Sequence, residues 1–205
     1  MANTRAFIDS RRSHNVGPRD GVYYIGRPSW LTAELFAALQ QESEDQRVSA
    51  EKIRFQHFGD LGPVARSLIS SAELTSFVVE HSVPAYPSGV ANYRYYDIPE
   101  SQVRPHVDDE NFGLNLLIML KHSFVSERRS GLLLFPRGPQ EPVSIMMNPG
   151  EVILFNAKDV IHARTPISDN GDEWAVNIGI GFTPVESIAD HGFWHPTEGW
   201  HDGLN

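Results

Sequence analysis

The chain has 205 residues and a formal net charge of −9, because 26 aspartates and glutamates outnumber 17 lysines and arginines. This acidic balance argues against nucleic acid or an anionic membrane surface as a partner. The absence of cysteine excludes disulfides, zinc–thiolate sites, iron–sulfur clusters and cysteine nucleophiles, so any metal must be bound through His, Asp or Glu. No apolar run approaches the roughly 18 residues of a membrane-spanning helix, and the N-terminus lacks an apolar run of signal-peptide length. We therefore expect a cytoplasmic protein.

The first region, residues 1–83, is expected to be a helical support for the rest of the fold. Its clearest helix signal is WLTAELFAALQQ, in which Leu31, Leu35, Phe36 and Leu39 recur at the spacing of one helix face. A stripe of this kind is typical of a helix that packs its apolar side against the body of a domain. We interpret the whole chain as a single domain, mostly β with N-terminal helices.

The second region, residues 84–183, changes to short apolar runs separated by Gly and Pro. The candidate strands are Val90–Tyr96, Leu114–Lys121, Gly131–Phe135, Pro142–Met147, Val152–Phe155, Val160–Pro166 and Trp174–Phe182. Short strands with turn signals between them predict a sandwich or barrel, and a small barrel open at one end can hold a single ligand pocket. The third region, residues 184–205, is rich in aromatic residues, His and Gly without a clear period, and we expect a C-terminal loop or lid there.

The central motif is His106-Val107-Asp108. On an extended backbone, residues i and i+2 point to the same side, so His106 and Asp108 can converge on one ion. A second imidazole must come from elsewhere, and His162 in the segment DVIHARTPI is the candidate. Two imidazoles and one carboxylate on one face of an octahedron are the arrangement of non-heme iron(II) oxygenases, which leaves positions open for a co-substrate and dioxygen. An HxD triplet alone is a weak signal, so the interpretation depends on its surroundings.

Those surroundings are the segments PHVDDENFGLNLLIMLKH, SGLLLFP and NPGEVILFNAKDVIHARTPI, in this order. They resemble the core of the iron(II)/2-oxoglutarate-dependent dioxygenases, most closely the prolyl-hydroxylase-like branch, over roughly residues 90–182. The resemblance implies a double-stranded β-helix core of the jelly-roll or cupin-like kind, with helices packed against one of its sheets. It also implies iron(II) as the metal, with His106, Asp108 and His162 as ligands and catalytic residues, and 2-oxoglutarate as co-substrate.

The segment after His162 departs from the family pattern, in which an Arg or Lys shortly past this histidine holds the far carboxylate of 2-oxoglutarate. The chain has SDNGDEWAVN there, with Asp172 and Glu173 and no basic residue. In the strand LNLLIMLK, alternation puts Asn115 and Lys121 on the face opposite a uniformly apolar set, so both are expected to face the barrel interior. Related branches use a Lys on this strand to bind the co-substrate. Lys121 is therefore the first candidate anchor, and Asn115 is a second polar group of the site.

Arg164 is a further candidate for binding 2-oxoglutarate or an acidic substrate. It lies two residues past His162, so strand alternation points it toward the metal. A buried Arg needs an anionic partner, and a carboxylate can bind its guanidinium with two hydrogen bonds. The partner could be the co-substrate, the substrate or a neighbouring Asp in a purely structural pair.

Two more strands carry polar residues that we expect near the cavity. In ANYRYY, Tyr93 and Tyr95 alternate with Arg94, and one of these two sets should line the pocket. A Tyr hydroxyl on this strand often contacts 2-oxoglutarate in the family, which favours Tyr93 and Tyr95, with Arg94 as a third candidate anchor. Asn177 shares its strand face with small residues and is also expected to line the cavity.

These features predict an oxygenase that uses iron(II), 2-oxoglutarate and dioxygen to oxidise a small molecule, such as an amino acid or a natural-product intermediate. Hydroxylation, desaturation or ring formation is favoured over halogenation, because Asp108 supplies the carboxylate that halogenating relatives lack. Three alternatives stay open: a cupin-like metalloenzyme that uses the same ligands without 2-oxoglutarate, a hydroxylase of protein side chains, and a non-catalytic binding barrel. A compact acidic chain with no added recognition module favours a small molecule.

Overall fold

The structure, a computed structural model, describes residues 21–99, 101–125, 127–135, 141–168 and 171–185. The loop or lid expected over residues 184–205 lies outside these ranges apart from its first two residues. The helices of the described part are α1 (Ala33–Arg47), α2 (Pro63–Ile69) and α3 (Ala72–His81). Its strands are β1 (Val22–Gly26), β2 (Glu51–Ile53), β3 (Gln56–Gly59), β4 (Ala85–Tyr96), β5 (Val103–His106), β6 (Leu114–Phe124), β7 (Leu132–Phe135), β8 (Val143–Ile145), β9 (Val152–Asn156), β10 (Ile161–Arg164) and β11 (Glu173–Pro184). A 3-10 turn, Glu110–Phe112, precedes β6.

The strands of the described residues form two antiparallel sheets. The larger sheet has seven strands in the order β1-β9-β6-β11-β4-β3-β2, and the smaller has four in the order β5-β10-β7-β8. From β4 onward the chain passes repeatedly between the two sheets, so each sheet is built from strands that are distant in sequence. This arrangement is a double-stranded β-helix with N-terminal helices, and the predicted fold is confirmed.

Alternation along the central strand β6 separates two apolar layers. One set of its side chains packs under the helices: Leu114, Leu116, Ile118 and Leu120. Leu117 and Met119 point the other way and pack in one cluster with Leu134 and Ile145 of the smaller sheet. Each fully buried Leu or Ile stabilises the fold by about 1.5–3 kcal/mol. The helices therefore cover the outer face of the larger sheet and leave the space between the sheets for a cavity.

The alternation of β6 breaks before Lys121. Asn177 of β11 pairs with Met119, but the preceding residue, Val176, pairs with Lys121, so β6 carries one extra residue in a β-bulge. The bulge turns Lys121 toward α1, where its ammonium group pairs with the Glu44 carboxylate. The prediction that Lys121 faces the barrel interior is therefore wrong, because strict alternation does not continue through a bulge.

Within residues 21–83, the part of the first region that the structure describes, there is less helix than expected. These residues also contribute β1, which pairs with β9, and the hairpin of β2 and β3, which pairs with β4 at the other edge of the larger sheet. The strand β5 was also not predicted; it has four residues, one of which is Pro105. Strands this short show little periodicity, so the pattern alone does not reveal them. Among the described residues, none of the helices combines the length and the apolar content that crossing a membrane requires.

Ile118→Ala should destabilise the protein much more than Lys121→Ala. Ile118 is fully buried beneath the helices, so its truncation removes apolar burial and leaves a cavity, at a cost of about 2–5 kcal/mol. Lys121→Ala removes only a salt bridge to Glu44, whose side chain is 55% exposed, and an exposed salt bridge stabilises a protein by about 0–1 kcal/mol. Urea unfolding followed by circular dichroism measures both variants. Equal losses would contradict the placement of Lys121 on the helix side of the bulge.

Candidate metal centre

His106, Asp108 and His162 lie together at the end of β5, beside β10. His106 is the last residue of β5, and it pairs directly opposite His162. Asp108 follows the strand, and its backbone N–H donates to the Ala157 carbonyl at 2.8 Å. One ligand atom from each of the three side chains lies within 4.8 Å of the others. The predicted convergence of these side chains is confirmed.

Both imidazoles present Nε2 to the space that they share. The Nδ1 atom of His106 lies 2.8 Å from the Arg104 carbonyl oxygen, and that of His162 lies 3.0 Å from the Val160 carbonyl oxygen. Because a carbonyl oxygen only accepts, each Nδ1 carries a proton, and Nε2 is the nitrogen of each ring that can bind a metal once it is deprotonated. His106 Nε2 lies 3.2 Å from Asp108 Oδ1, and His162 Nε2 lies 3.7 Å from Asp108 Oδ2. Two nitrogens and a carboxylate therefore converge.

The surroundings favour the forms of His162 and Asp108 that bind a cation. Burial lowers the pKa of His162 to about 4, which keeps its imidazole neutral at pH 7. Burial raises the pKa of Asp108, but hydrogen bonds from His106 and Asn115 and nearby positive charges outweigh it, and the pKa lies below its usual range. Burial alone would lower the pKa of His106. The hydrogen bonds to Asp108 and to the Arg104 carbonyl outweigh burial, so the pKa of His106 is raised. A metal ion would compete with the proton at His106.

Asn115 holds the carboxylate of Asp108 in place. From β6, its Nδ2 donates to Asp108 Oδ2 at 2.8 Å. A hydrogen bond of this kind orients a metal ligand and tunes its charge. Two imidazole nitrogens and one carboxylate fit a first-row divalent cation such as iron(II), and three protein ligands leave coordination positions open. Asn115, predicted to bind the cofactor, is thus placed against a metal-ligating side chain.

A cavity of about 300 Å³ opens beside the three side chains. Its inner wall is apolar and buried, and is formed by Leu117, Met119, Leu132, Ile145, Met147 and Phe155. Its mouth is formed by partly or fully exposed polar and aromatic residues, namely Gln56, Phe58, Asn92, Arg94, Asp109 and Phe112. The cavity therefore has a largely apolar inner wall and an entrance of mixed polar and aromatic residues.

Arg164 places a positive charge in the deep part of this cavity. The residue is 6% exposed, and its guanidinium carbon lies 4.3 Å from the centre of the Tyr96 ring. Its Nε and Nη2 atoms are buried and have no hydrogen-bond partner among the described residues. Burial lowers the pKa of Arg164, yet an arginine remains charged at neutral pH, so this guanidinium requires an anion. The expected inward position of Arg164 is confirmed.

Glu173 does not satisfy that requirement. Its Oε1 atom accepts hydrogen bonds from the backbone N–H groups of Arg129 at 3.0 Å and Ser130 at 2.9 Å, and from His122 Nε2 at 2.7 Å. The charge of Glu173 acts on Arg164, but no ion pair joins the two among the described side chains. The Oε1 atom of Glu173 is thus bound to the local backbone and to His122, while its Oε2 atom is buried without a hydrogen-bond partner among the described residues.

His122 is held in its neutral form between two partners. Its Nε2–H donates to Glu173, while its Nδ1 accepts from Arg128 Nε at 2.9 Å. Burial, followed by the charges of Arg164 and Arg128, lowers the pKa of His122 to about 4. Protonation would break the bond from Arg128, because Nδ1 would become a donor.

The tyrosines predicted to contact the co-substrate face the helices instead. The Tyr93 hydroxyl donates to Glu42 Oε1 at 2.7 Å, and the Tyr95 hydroxyl donates to the Ser43 carbonyl at 2.7 Å. The orientation predicted for Tyr93 and Tyr95 is therefore wrong, because α1 supplies the partners for both hydroxyls. The alternate set of β4, which contains Arg94, lines the cavity.

Asn177 lines the cavity as expected, and its buried Oδ1 has no hydrogen-bond partner among the described residues. Sequence analysis missed further lining residues, namely Gln56, Phe58, Tyr96 and Phe112. Tyr96 shares its strand face with Arg94, so alternation could have identified it. Gln56 and Phe58 belong to β3, whose pairing with β4 leaves no local signal in the sequence.

Lowering the pH should destabilise the metal-free protein between about pH 6.5 and pH 4. The unfolded chain binds a proton at His122 near the ordinary pKa of 6.5, whereas the folded protein does so only near 4. The unfolded state then holds more protons than the folded state, so the free energy of unfolding decreases as the pH is lowered from 6.5 to 4. The slope is at most about 1.4 kcal/mol per pH unit for each such histidine. Urea unfolding at a series of pH values measures it.

The matched variant is His122→Asn, because Asn keeps one donor and one acceptor but does not titrate. Its stability should depend less steeply on pH than that of the wild type, while His162 still contributes. If the variant retained the full wild-type slope, His122 would not be the buried neutral group described above.

Comparisons with known proteins identify the fold. Neither the family models nor the curated protein sequences give a match. Among solved structures, the chain is similar to a prolyl-4-hydroxylase from Pseudomonas putida, with a TM-score of 0.62 and 14% identity over 88% of this chain and 98% of that one. An oxidoreductase of the 2OG-Fe(II) oxygenase family from Burkholderia pseudomallei gives a TM-score of 0.60 and 13% identity over 89% and 91%.

The epimerase SnoN, solved in complex with Fe3+, alpha ketoglutarate and nogalamycin RO, gives a TM-score of 0.65 and 14% identity over 98% of this chain and 94% of that one. These identities are low, and the similarity extends over nearly the whole chain. The predicted resemblance is therefore confirmed for the fold: the chain has the double-stranded β-helix of the 2OG-Fe(II) oxygenases and carries a His–Asp–His cluster.

Proposed function

We propose that this chain is an iron(II)- and 2-oxoglutarate-dependent oxygenase that oxidises a small molecule. The observation that carries the proposal is the presence, in one cavity, of three side chains that can hold a metal and a buried arginine whose Nε and Nη2 have no partner among the described residues. Such a cavity is complementary to a molecule that chelates a metal at one end and carries a carboxylate at the other. 2-Oxoglutarate has this form.

In the proposed site, His106, Asp108 and His162 hold the iron. When bound, iron(II) and 2-oxoglutarate supply the oxidising chemistry, in which dioxygen, 2-oxoglutarate and a substrate C–H bond yield succinate, carbon dioxide and, for hydroxylation, a C–OH group. The backbone carbonyls keep both imidazoles in the tautomer that binds metal, and Asn115 keeps the Asp108 carboxylate in position. The apolar inner wall keeps water away from the reacting groups.

Arg164 is the proposed anchor for the far carboxylate of 2-oxoglutarate. Its buried, unpaired Nε and Nη2 atoms match the two oxygens of a carboxylate, and Tyr96 fixes the guanidinium plane from one side. Asn177 lies in the same cavity, and its amide could bind the same carboxylate if it turned its Nδ2 inward. Lys121 is no longer a candidate, because it pairs with Glu44 outside the cavity.

Two features support oxidation of a small molecule over other reactions. A cavity of about 300 Å³ lies within the size range of small-molecule sites. Asp108 would supply the metal with the carboxylate ligand that halogenating relatives lack, which favours hydroxylation, desaturation or ring formation over halogenation.

Removal of either imidazole should abolish iron binding. His106→Ala or His162→Ala leaves only two of the three ligands, and neither variant should bind iron(II) under anaerobic conditions where the wild type binds one equivalent. Asp108→Ala should bind iron(II) more weakly than the wild type, because the carboxylate is lost, but it should retain some binding, because two imidazoles remain. His81→Ala is the matched control, since His81 lies on α3 and outside the cluster. One equivalent of iron in both variants that lack an imidazole would refute the assignment.

Arg164→Gln should weaken 2-oxoglutarate binding by about tenfold to a hundredfold, because a charge-assisted hydrogen bond to a carboxylate is worth roughly 1.5–3 kcal/mol. Lys121→Ala is the matched control and should bind 2-oxoglutarate like the wild type. Anaerobic titration of each iron(II)-loaded variant with 2-oxoglutarate, followed through the metal-to-ligand charge-transfer band, gives its dissociation constant for 2-oxoglutarate. A strong effect of Lys121→Ala with none from Arg164→Gln would reverse the assignment.

The function itself is tested by succinate formation. Succinate should form from 2-oxoglutarate in a reaction that requires iron(II) and dioxygen, slowly even without a substrate. If no charge-transfer band develops and no succinate appears with a broad panel of substrates, the cupin-like alternative without 2-oxoglutarate becomes the better description.

A further inference from the structure

The second cation of the cavity, Arg94, lies at its mouth and is held in a defined position. It is half-buried on β4, between Asn92 and Tyr96 of the same strand face. Its Nε donates to Asn92 Oδ1 at 2.9 Å, and its guanidinium carbon lies 5.3 Å from the centre of the Phe112 ring. Its two terminal nitrogens form no hydrogen bond to the described residues and are therefore free to bind a ligand.

Two glycines of β11 create the space in which Arg94 and Phe112 lie. A Cβ atom at Gly179 would come within 2.5 Å of the guanidinium carbon of Arg94, so the guanidinium fills the space that a side chain at this position would need. A Cβ atom at Gly181 would come within 2.2 Å of the Asn111 carbonyl oxygen, so the 3-10 turn that carries Phe112 also depends on a missing side chain. The guanidinium is thus packed between the backbone of β11 and an aromatic ring.

Arg94 is close enough to the metal centre to act on it electrostatically. Burial has the largest influence on the pKa of His106, Asp108 and His162, and the positive charge of Arg94 acts to lower the pKa of all three. Arg94 also pairs across the sheet with Asn177, which lines the same cavity. A ligand bound to Arg94 would therefore lie beside the metal and not on a remote surface.

The mouth offers three kinds of contact to a ligand. Arg94 supplies a cation, and the rings of Phe58 and Phe112 supply apolar walls. The Oε1 atom of Gln56 is a buried acceptor with no partner among the described residues, so it would accept from an N–H or O–H group. This set is complementary to a molecule that carries a carboxylate, a nearby donor and an apolar body.

We propose that Arg94 binds a carboxylate of the substrate at the mouth of the cavity, so that the enzyme acts on a small organic acid with a hydrogen-bond donor, such as an amino acid or hydroxy acid. The inference rests on the proposed function, in which 2-oxoglutarate occupies Arg164. Two cations in one cavity repel each other unless each has its own anion. The deep arginine then binds the co-substrate, and the arginine at the mouth binds the substrate.

The test uses the iron(II)-loaded protein with saturating 2-oxoglutarate in the absence of oxygen, so that Arg164 is occupied and no turnover occurs. The probes are a panel of L-amino acids and 2-hydroxy acids, each paired with its own primary carboxamide, and binding is measured by calorimetry. At least one acid should bind about tenfold or more tightly than its carboxamide. Arg94→Gln should remove this preference, and Arg94→Lys should restore part of it.

Arg66→Gln is the matched control, because Arg66 lies on α2, where its Nε donates to the Leu61 carbonyl, and it does not line the cavity. It should keep the preference for the acid. The proposal is overturned if no acid binds better than its carboxamide, or if Arg94→Gln keeps the preference. It is also overturned if Arg94→Gln weakens 2-oxoglutarate in place of the acid, since Arg94 would then be the co-substrate anchor.

A titration with 2-oxoglutarate alone separates this inference from the proposed function. If 2-oxoglutarate does not bind, the proposed function fails. The comparison of acids with carboxamides can still be made on the protein loaded with iron(II) only, and it then decides the role of Arg94 by itself.

Discussion

The antiparallel register between β5 and β10 is the constraint on which the candidate metal centre depends. It sets His106 directly opposite His162, so two imidazoles from distant parts of the chain share one face. The carbonyls of Arg104 and Val160 belong to the same backbone segments and orient both rings. Because side chains alternate along a strand, a slip of one residue would turn one imidazole away from the cavity. Pairing of β10 with β7, and the apolar cluster between the sheets, hold this register.

The charged groups in and around the cavity are only partly compensated by the described residues. Glu173 accepts through Oε1 from two backbone N–H groups and from His122, which stays neutral, while its Oε2 has no hydrogen-bond partner among the described residues. In the cavity, the Nε and Nη2 atoms of the buried Arg164 have no such partner, and no described residue accepts from the terminal nitrogens of the half-buried Arg94. A buried charge without a partner is costly, so such a group is retained where a ligand supplies the partner. The cavity is thus complementary to anions, although the chain as a whole carries a net charge of −9.

The fold and the three candidate metal ligands could be predicted because most of their signals are local in the sequence: apolar runs of strand length, the two-residue spacing of His106 and Asp108, and the resemblance of the segment around His162 to a known family. Predictions that needed a partner strand or helix failed. The bulge before Lys121 arises from pairing with β11, and the sequence of β6 alone does not predict it. Alternation in β4 separated Arg94 from Tyr93 and Tyr95, but only the packing of α1 decides which set faces the helices. The missed strands of residues 21–83 have three to five residues each, and periodicity is weak in strands this short.

The most direct test of the proposed function is a crystal structure of the protein with 2-oxoglutarate and Mn(II) in place of iron(II). The proposed function predicts one metal ion bound by His106 Nε2, His162 Nε2 and the Asp108 carboxylate, with the far carboxylate of 2-oxoglutarate on Arg164. A metal ion bound elsewhere, or a co-substrate whose far carboxylate lies on a residue other than Arg164, would contradict it.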